Sequence, residues 1–182
     1  MGNISDFQNY EDLSKTELLK IIKEQHEKIK NLTYVTYTDL LTTNYLKTKG
    51  IAIQIFNRTY WEEVFKVENA NIECDFYLLD TNNLKNINDN FGHLVGDDLI
   101  CKCAEIACKF GIVVRLGGDE FALIVTNGKE KECAEFFKQN LDTLPFAYGI
   151  AKKSSTDTFF DAIKIADDEM YKTKCKMKST KK

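Results

Sequence analysis

Residues 115 to 125 read Arg-Leu-Gly-Gly-Asp-Glu-Phe-Ala-Leu-Ile-Val, and this stretch limits the fold more than any other. Gly117 and Gly118 allow a backbone to reverse at positive φ without a Cβ penalty, so an apolar run can turn and re-enter a sheet as a hairpin. The reversal leaves Asp119 and Glu120 at its tip. Adjacent carboxylates repel each other in a plain structural turn, but they suit a hard divalent cation that takes oxygen ligands and brings substrate phosphates with it. A solvated acidic turn is the alternative that these residues alone leave open.

Residues 75 to 80, Asp-Phe-Tyr-Leu-Leu-Asp, form a short aromatic-rich apolar run closing on an acid. That is the pattern of a buried strand delivering one carboxylate to its C-terminal edge. The chain continues Thr81-Asn-Asn-Leu-Lys-Asn-Ile-Asn-Asp-Asn-Phe-Gly-His-Leu-Val-Gly-Asp97. With the two-glycine stretch, these residues resemble the GGDEF family of diguanylate cyclases, which join two GTP molecules into cyclic di-GMP. Asp80, Lys85, Ile87-Asn88-Asp89, Gly92-His93 and Gly96-Asp97 carry the resemblance, which runs from about Thr38 to Lys178.

The chain has 182 residues, 43% of them hydrophobic and 12% aromatic, enough for one core, so one domain plus an extension is expected. No apolar run is long enough to span a bilayer, and the first residues lack the basic and apolar regions of a signal peptide. A cytoplasmic protein without a membrane partner is expected. A net charge of −3 argues against a broad nucleic-acid footprint. The six cysteines show no paired metal-ligand spacing, and reduced thiols serving as small apolar residues account for them best.

Ser14-Lys-Thr-Glu17 is a capping box that opens a helix running to about Asn31 or beyond. Leu18, Ile22, Ile29 and Leu32 form a seam interrupted by Gln25. A short parallel coiled coil and a helix packed on its own domain both fit it. The expected organisation is an N-terminal helix in 1–37, a domain in 38–178 and a lysine-rich tail in 179–182. Residues 39–70 read as helical, followed by the strand ending at Asp80 and helices near 83–90 and from Asp97 to Phe110. Strands at Ile112 to Leu116 and Phe121 to Val125 come next, then a helix from Lys129 to Leu144 and a strand from Phe146 to Ala151. Phe159, Ile163, Ala166 and Met170 mark the buried face of a last helix. The pattern predicts an α+β fold with helices on one side of an antiparallel sheet. The resemblance implies a ferredoxin-like palm with an N-terminal helical extension.

The reaction implied is in-line attack of a ribose 3′-hydroxyl on an α-phosphate, with pyrophosphate leaving. By resemblance, Asp80 and Asp119 are metal carboxylates and the Thr81 main-chain carbonyl adds a ligand, holding two Mg²⁺ ions, or Mn²⁺, per GTP site. Asp119 is also the general base, and Glu120 supports the metal shell. Asn88 and Asp97 recognise guanine, with His93 near the nucleotide. Lys85, Lys174 and Lys178 take the triphosphate. Two domains must face each other, so a homodimer is implied.

Some residues depart from the family pattern. Its Leu-Thr-Gly-Leu-x-Asn-Arg opening reads as the frayed Leu41-Thr42-Thr43-Asn44-Tyr45-Leu46-Lys47, and Lys178 stands for an arginine. Cys108 and Gly111 occupy the places of the Arg and Asp that bind inhibitory product, so feedback there is not expected. A catalytically weak GTP-binding module and a palm-fold cyclase with another nucleotide product are the alternative functions.

Overall fold

The structure is a computed structural model that describes residues 14–126 and 128–180, with side chains of the last helix followed through residue 175. The chain divides into two compact units, Met1–Thr36 and Tyr37–Lys182. Among the described residues no helix is long and apolar enough to cross a membrane.

Helix α1 spans Lys15–Tyr37 and begins as its sequence predicts. Ser14 N and Oγ donate to Glu17 Oε2 at 2.9 and 2.6 Å, while Glu17 N donates to Ser14 Oγ at 3.4 Å, closing the capping box. No residue of α1 is buried. The seam residues Ile22, Ile29 and Leu32 are 62%, 62% and 68% exposed.

The second unit is built on a five-stranded sheet in the order β1-β3-β4-β2-β5. Its strands are β1 (Phe56–Asn57), β2 (Cys74–Thr81), β3 (Ile112–Arg115), β4 (Glu120–Val125) and β5 (Phe146–Lys153). All pairings are antiparallel except the edge pair β1·β3, which makes the sheet mixed. The region read as helical, 39–70, is broken. Helix α2 (Leu40–Thr48) is followed by β1, then by α3 (Arg58–Tyr60), a π-helical stretch Trp61–Phe65 and α4 (Lys66–Glu68). Two capping side chains punctuate it: Asp39 accepts from Thr42 N and Asn57 accepts from Tyr60 N.

Helices α5 (Leu84–Phe91) and α6 (His93–Ala107) meet at Gly92, whose φ of 87° ends one helix and lets the next begin at once. That left-handed glycine is why α6 starts at His93 rather than at Asp97. Helix α7 (Glu130–Gln139) stops short of Leu144, and α8 (Phe159–Thr180) closes the fold.

Helices cover both faces of the sheet, not one. Tyr77, Leu79, Phe121, Leu123 and Phe146 pack with Leu46 of α2, Ile100 and Cys103 of α6 and Phe137 of α7. Phe76, Leu78, Ala122, Ile124 and Ala151 pack on the opposite side with Trp61, Phe65, Phe159 and Ala166. The sequence carries the cause: Cys74 to Leu79 are buried without interruption, as a strand must be when apolar layers lie above and below it.

Candidate active site

The ladder between β2 and β4 ends with Asp80 opposite Glu120. Directly opposed residues of antiparallel strands hold their Cβ atoms about 4.5–5.5 Å apart on one face, so these two carboxylates are neighbours. Both continue the face of Leu78 and Ala122, which is the face that α8 covers. Lys174 of α8 reaches it there, with its Nζ 2.9 Å from Asp80 Oδ2. Glu120 also lines a cleft of about 450 Å³ with Arg58, Leu78, Leu116, Lys164 and Asp167.

Asp119 sits in the turn. Its carbonyl accepts from Thr81 N at 2.8 Å, which ties the end of β2 directly to the two-glycine turn. Among the described residues neither the Asp119 nor the Glu120 carboxylate has a hydrogen bond or an ion pair. The turn is made differently from the expectation. Gly117 and Gly118 are absent from the residues with positive φ, so the reversal does not use left-handed backbone. A Cβ on Gly117 would come within 3.3 Å of Glu120 Oε2, the far end of a flexible side chain.

Arg115 holds the turn open. Its Nε donates to Gly117 O at 3.1 Å, its Nη2 to Gly118 O at 2.8 Å, and its Nη1 to Asp39 Oδ2 at 3.2 Å. Asp39 Oδ1 also accepts from Thr42 N and Thr42 Oγ1, so one carboxylate caps α2 and anchors the arginine. Sequence reasoning passed over both residues. An arginine two places before paired glycines, with a planar fork of donors, was the available signal.

The start of α5 supplies a second set of groups. Asn83 has φ 57° and ψ 27°, and no side chain caps the helix. Uncapped N–H groups beside a left-handed residue form a concavity suited to anions. Lys85 lies exposed in this first turn. One turn on, Asn88 Oδ1 is buried with no hydrogen-bond partner. It rests against α6 at Gly96, where a Cβ would be 1.8 Å from that oxygen. Asp97 follows, half-buried, and His93 is exposed at the start of α6. The fold therefore gathers Asn88 and Asp97 at the α5–α6 contact. It puts Asp80, Thr81, Asp119, Glu120 and Lys174 at the ends of β2, β4 and α8. Lys178 lies on α8, and its side chain falls outside the described residues.

The donor set suits a hard cation. Asp80 and Glu120 present oxygen ligands at one strand end, and a positive charge already stands against Asp80. Among the described residues no three His, Cys, Asp or Glu side chains form a metal cage, so further ligands would come from main chain, water and substrate phosphates. Three of the buried thiols offer no alternative site. Burial pushes Cys101 up to about 11 and Cys103 and Cys133 up to about 12, so these remain protonated apolar groups.

Residues 53–180 match the family described as diguanylate cyclase, GGDEF domain. The chain belongs to the GGDEF family. Asn57-Arg58 falls within that match, with Asn57 capping α3, whereas Leu41 to Lys47 precedes the match. The probable diguanylate cyclase DgcI of Escherichia coli K-12 is 36% identical over 111 residues, which cover 53% of this chain and 24% of that protein. Diguanylate cyclase VdcA of Vibrio cholerae is 26% identical over 142 residues, 66% of this chain and 42% of that protein. The GGDEF chain thus spans less than half the length of either relative. Among solved structures, a microbial GGDEF domain studied for its interaction with bis-(3,5)-cyclic di-GMP is 28% identical, with a TM-score of 0.60 over 78% of this chain and 94% of that one. The coiled coil and GGDEF domain of DgcB from Caulobacter crescentus shares the fold, with a TM-score of 0.69 at 18% identity over 87% and 91% of the two chains.

A Cβ on Gly111 would lie 2.0 Å from the Ile124 carbonyl oxygen, so a side chain there would displace β4.

Proposed function

We propose that this GGDEF domain condenses two GTP molecules into cyclic di-GMP with release of pyrophosphate. One observation carries the reading: Asp80 and Glu120 are directly opposed at the strand ends, beside Lys174 and the uncapped start of α5.

Asp80, Glu120 and the Thr81 carbonyl are the residues that would hold Mg²⁺, or Mn²⁺, at this edge. Bound there, the ion neutralises triphosphate charge and fixes the α-phosphate for in-line attack. The register that sets Asp80 opposite Glu120 supports a larger share of this task for Glu120 than for Asp119. The N–H groups that open α5 and the ammonium groups of Lys85 and Lys174 bind the β- and γ-phosphates, with Lys178 further along α8. When phosphate arrives, Lys174 exchanges its carboxylate partner for it. Asp119, in the turn, takes the proton of the attacking 3′-hydroxyl.

Asp97 accepts from N1–H and the exocyclic amine of guanine, and the orphaned Asn88 Oδ1 receives a further donor from the base edge. Adenine lacks the donor pair and would leave Asp97 unsatisfied. His93 closes the nucleotide side of this pocket. Because each nucleotide attacks the other, the active species is a homodimer, and the exposed α1 seam gives two copies a means of pairing.

Incubation of the pure protein with GTP, with ATP and with both, in Mg²⁺, followed by mass analysis, tests the proposal. Cyclic di-GMP from GTP alone is expected. Another cyclic nucleotide, or unconsumed GTP at high protein concentration, would contradict it.

A further inference from the structure

β5 alternates its side chains between the two layers of the core. Phe146, Tyr148 and Ile150 point into one, while Ala147 and Ala151 point into the other, where α8 lies. Gly149 belongs to the second set, and the helix comes closest there. A Cβ built on Gly149 would stand 1.8 Å from the Ala166 carbonyl oxygen and 2.4 Å from the Met170 amide nitrogen. Both are backbone atoms, so no change of rotamer makes room. Gly149 has no left-handed φ, which leaves the space itself as the reason for a glycine.

That closeness bears on the site. Met170 is one turn before Lys174 on the same side of α8. Lys174 Nζ lies 2.9 Å from Asp80 Oδ2. Gly149 pairs with Leu78 and Ala147 pairs with Asp80, so the glycine lies two residues along the same ladder from the carboxylate. A helix held away from the sheet would carry the lysine with it.

We infer that Gly149 is a positioning residue: the side chain it lacks sets the height of α8 above the sheet and so brings Lys174 to the phosphate-binding edge at Asp80. The inference rests on the proposed role of Lys174 toward the triphosphate. A methyl group at 149 lifts α8 and withdraws the ammonium group.

Calorimetry with inorganic tripolyphosphate and Mg²⁺ reads this contact without turnover. Gly149→Ala and Lys174→Ala are each expected to weaken binding roughly ten- to a hundredfold, the range for a hydrogen bond to a charged group. The double variant is expected to bind no more weakly than Lys174→Ala alone, because both changes remove one interaction. Lys174→Arg, with its longer reach, is expected to recover part of the loss in the Gly149→Ala background. Turnover of GTP by Gly149→Ala falls by about a hundredfold, the cost of a displacement near 1 Å. Losses that multiply in the double variant, or wild-type affinity in a folded Gly149→Ala protein, overturn the inference. If Gly149→Ala does not fold, Ala147→Val presses on α8 from the same face and carries the same cycle with the same two outcomes. Coupled tripolyphosphate binding in a wild-type protein that makes no cyclic product would contradict the cyclase proposal alone. No tripolyphosphate binding to the wild type would remove this inference.

Discussion

Strand β2 has an aspartate near each end, and the two ends of the molecule treat polar groups in opposite ways. At the Cys74 end, Lys153 is 3% exposed and closed on the chain itself. Its Nζ donates to Ala70 O, Ile72 O and Ser154 O at 2.7, 3.1 and 3.1 Å and lies 4.9 Å from the Phe159 ring centroid. At the Asp80 end, the Asp119 and Glu120 carboxylates and Asn88 Oδ1 have no protein partner among the described residues, and α5 starts uncapped. Buried or crowded polar groups are ordinarily satisfied within the fold. The Cys74 end thus closes its lysine within the fold, whereas at the Asp80 end the half-buried Asp119 and the exposed Glu120 keep carboxylates without a protein partner.

Substitutions at the two ends should therefore separate activity from stability. The largest effect is expected from Asp80→Asn: cyclic di-GMP formation, followed by chromatography, falls roughly a hundred- to a thousandfold, the scale of a preorganised electrostatic contact. Its unfolding free energy stays within about 0.5 kcal/mol of the parent. Lys153→Met reverses the pattern. It orphans buried carbonyls and costs about 2–3 kcal/mol in denaturant unfolding, while activity per folded molecule is retained. Asp97→Ser tests the pocket more finely, with the GTP-over-ATP preference in competition assays dropping about ten- to a hundredfold.

The smallest effect concerns Asp75. Burial raises its carboxyl above the ordinary range, with Lys152 lowering it in part and Glu130 raising it further. Because the folded value lies above the unfolded one, its contribution to stability is present below the unfolded value and is lost as pH rises through the folded one. Asp75→Asn should then raise stability at neutral pH by up to about 1 kcal/mol. The gain should shrink as pH falls through the carboxylate range, which thermal unfolding across pH would show.

Much of the site was legible because its signals are local. The acid closing an apolar strand, the Asn-Asp and Gly-Asp steps around α5 and α6, and the α1 capping box each lie within a few residues of what they determine. The remainder depends on long-range pairing. That Glu120 stands opposite Asp80 follows from a register between segments 40 residues apart in sequence. Neither strand reveals it alone. β1 has two residues and so no periodicity to detect, which is why 39–70 read as one helical stretch. The paired glycines suggested positive φ by their chemistry, whereas the turn holds neither of them there. The second helical layer follows from the unbroken burial of Cys74 to Leu79, which demands apolar cover above and below the strand.

The central claim is that Asp80 and Glu120 act together on one divalent ion beside bound guanine nucleotide. Calorimetric titration of a non-hydrolysable GTP analogue, with and without Mg²⁺, into the parent, Asp80→Asn, Glu120→Gln and the double variant tests it most directly. The account predicts Mg²⁺-dependent binding in the parent, an equal loss in each single variant and no further loss in the double. Undiminished Mg²⁺-dependent binding in either single variant would contradict it.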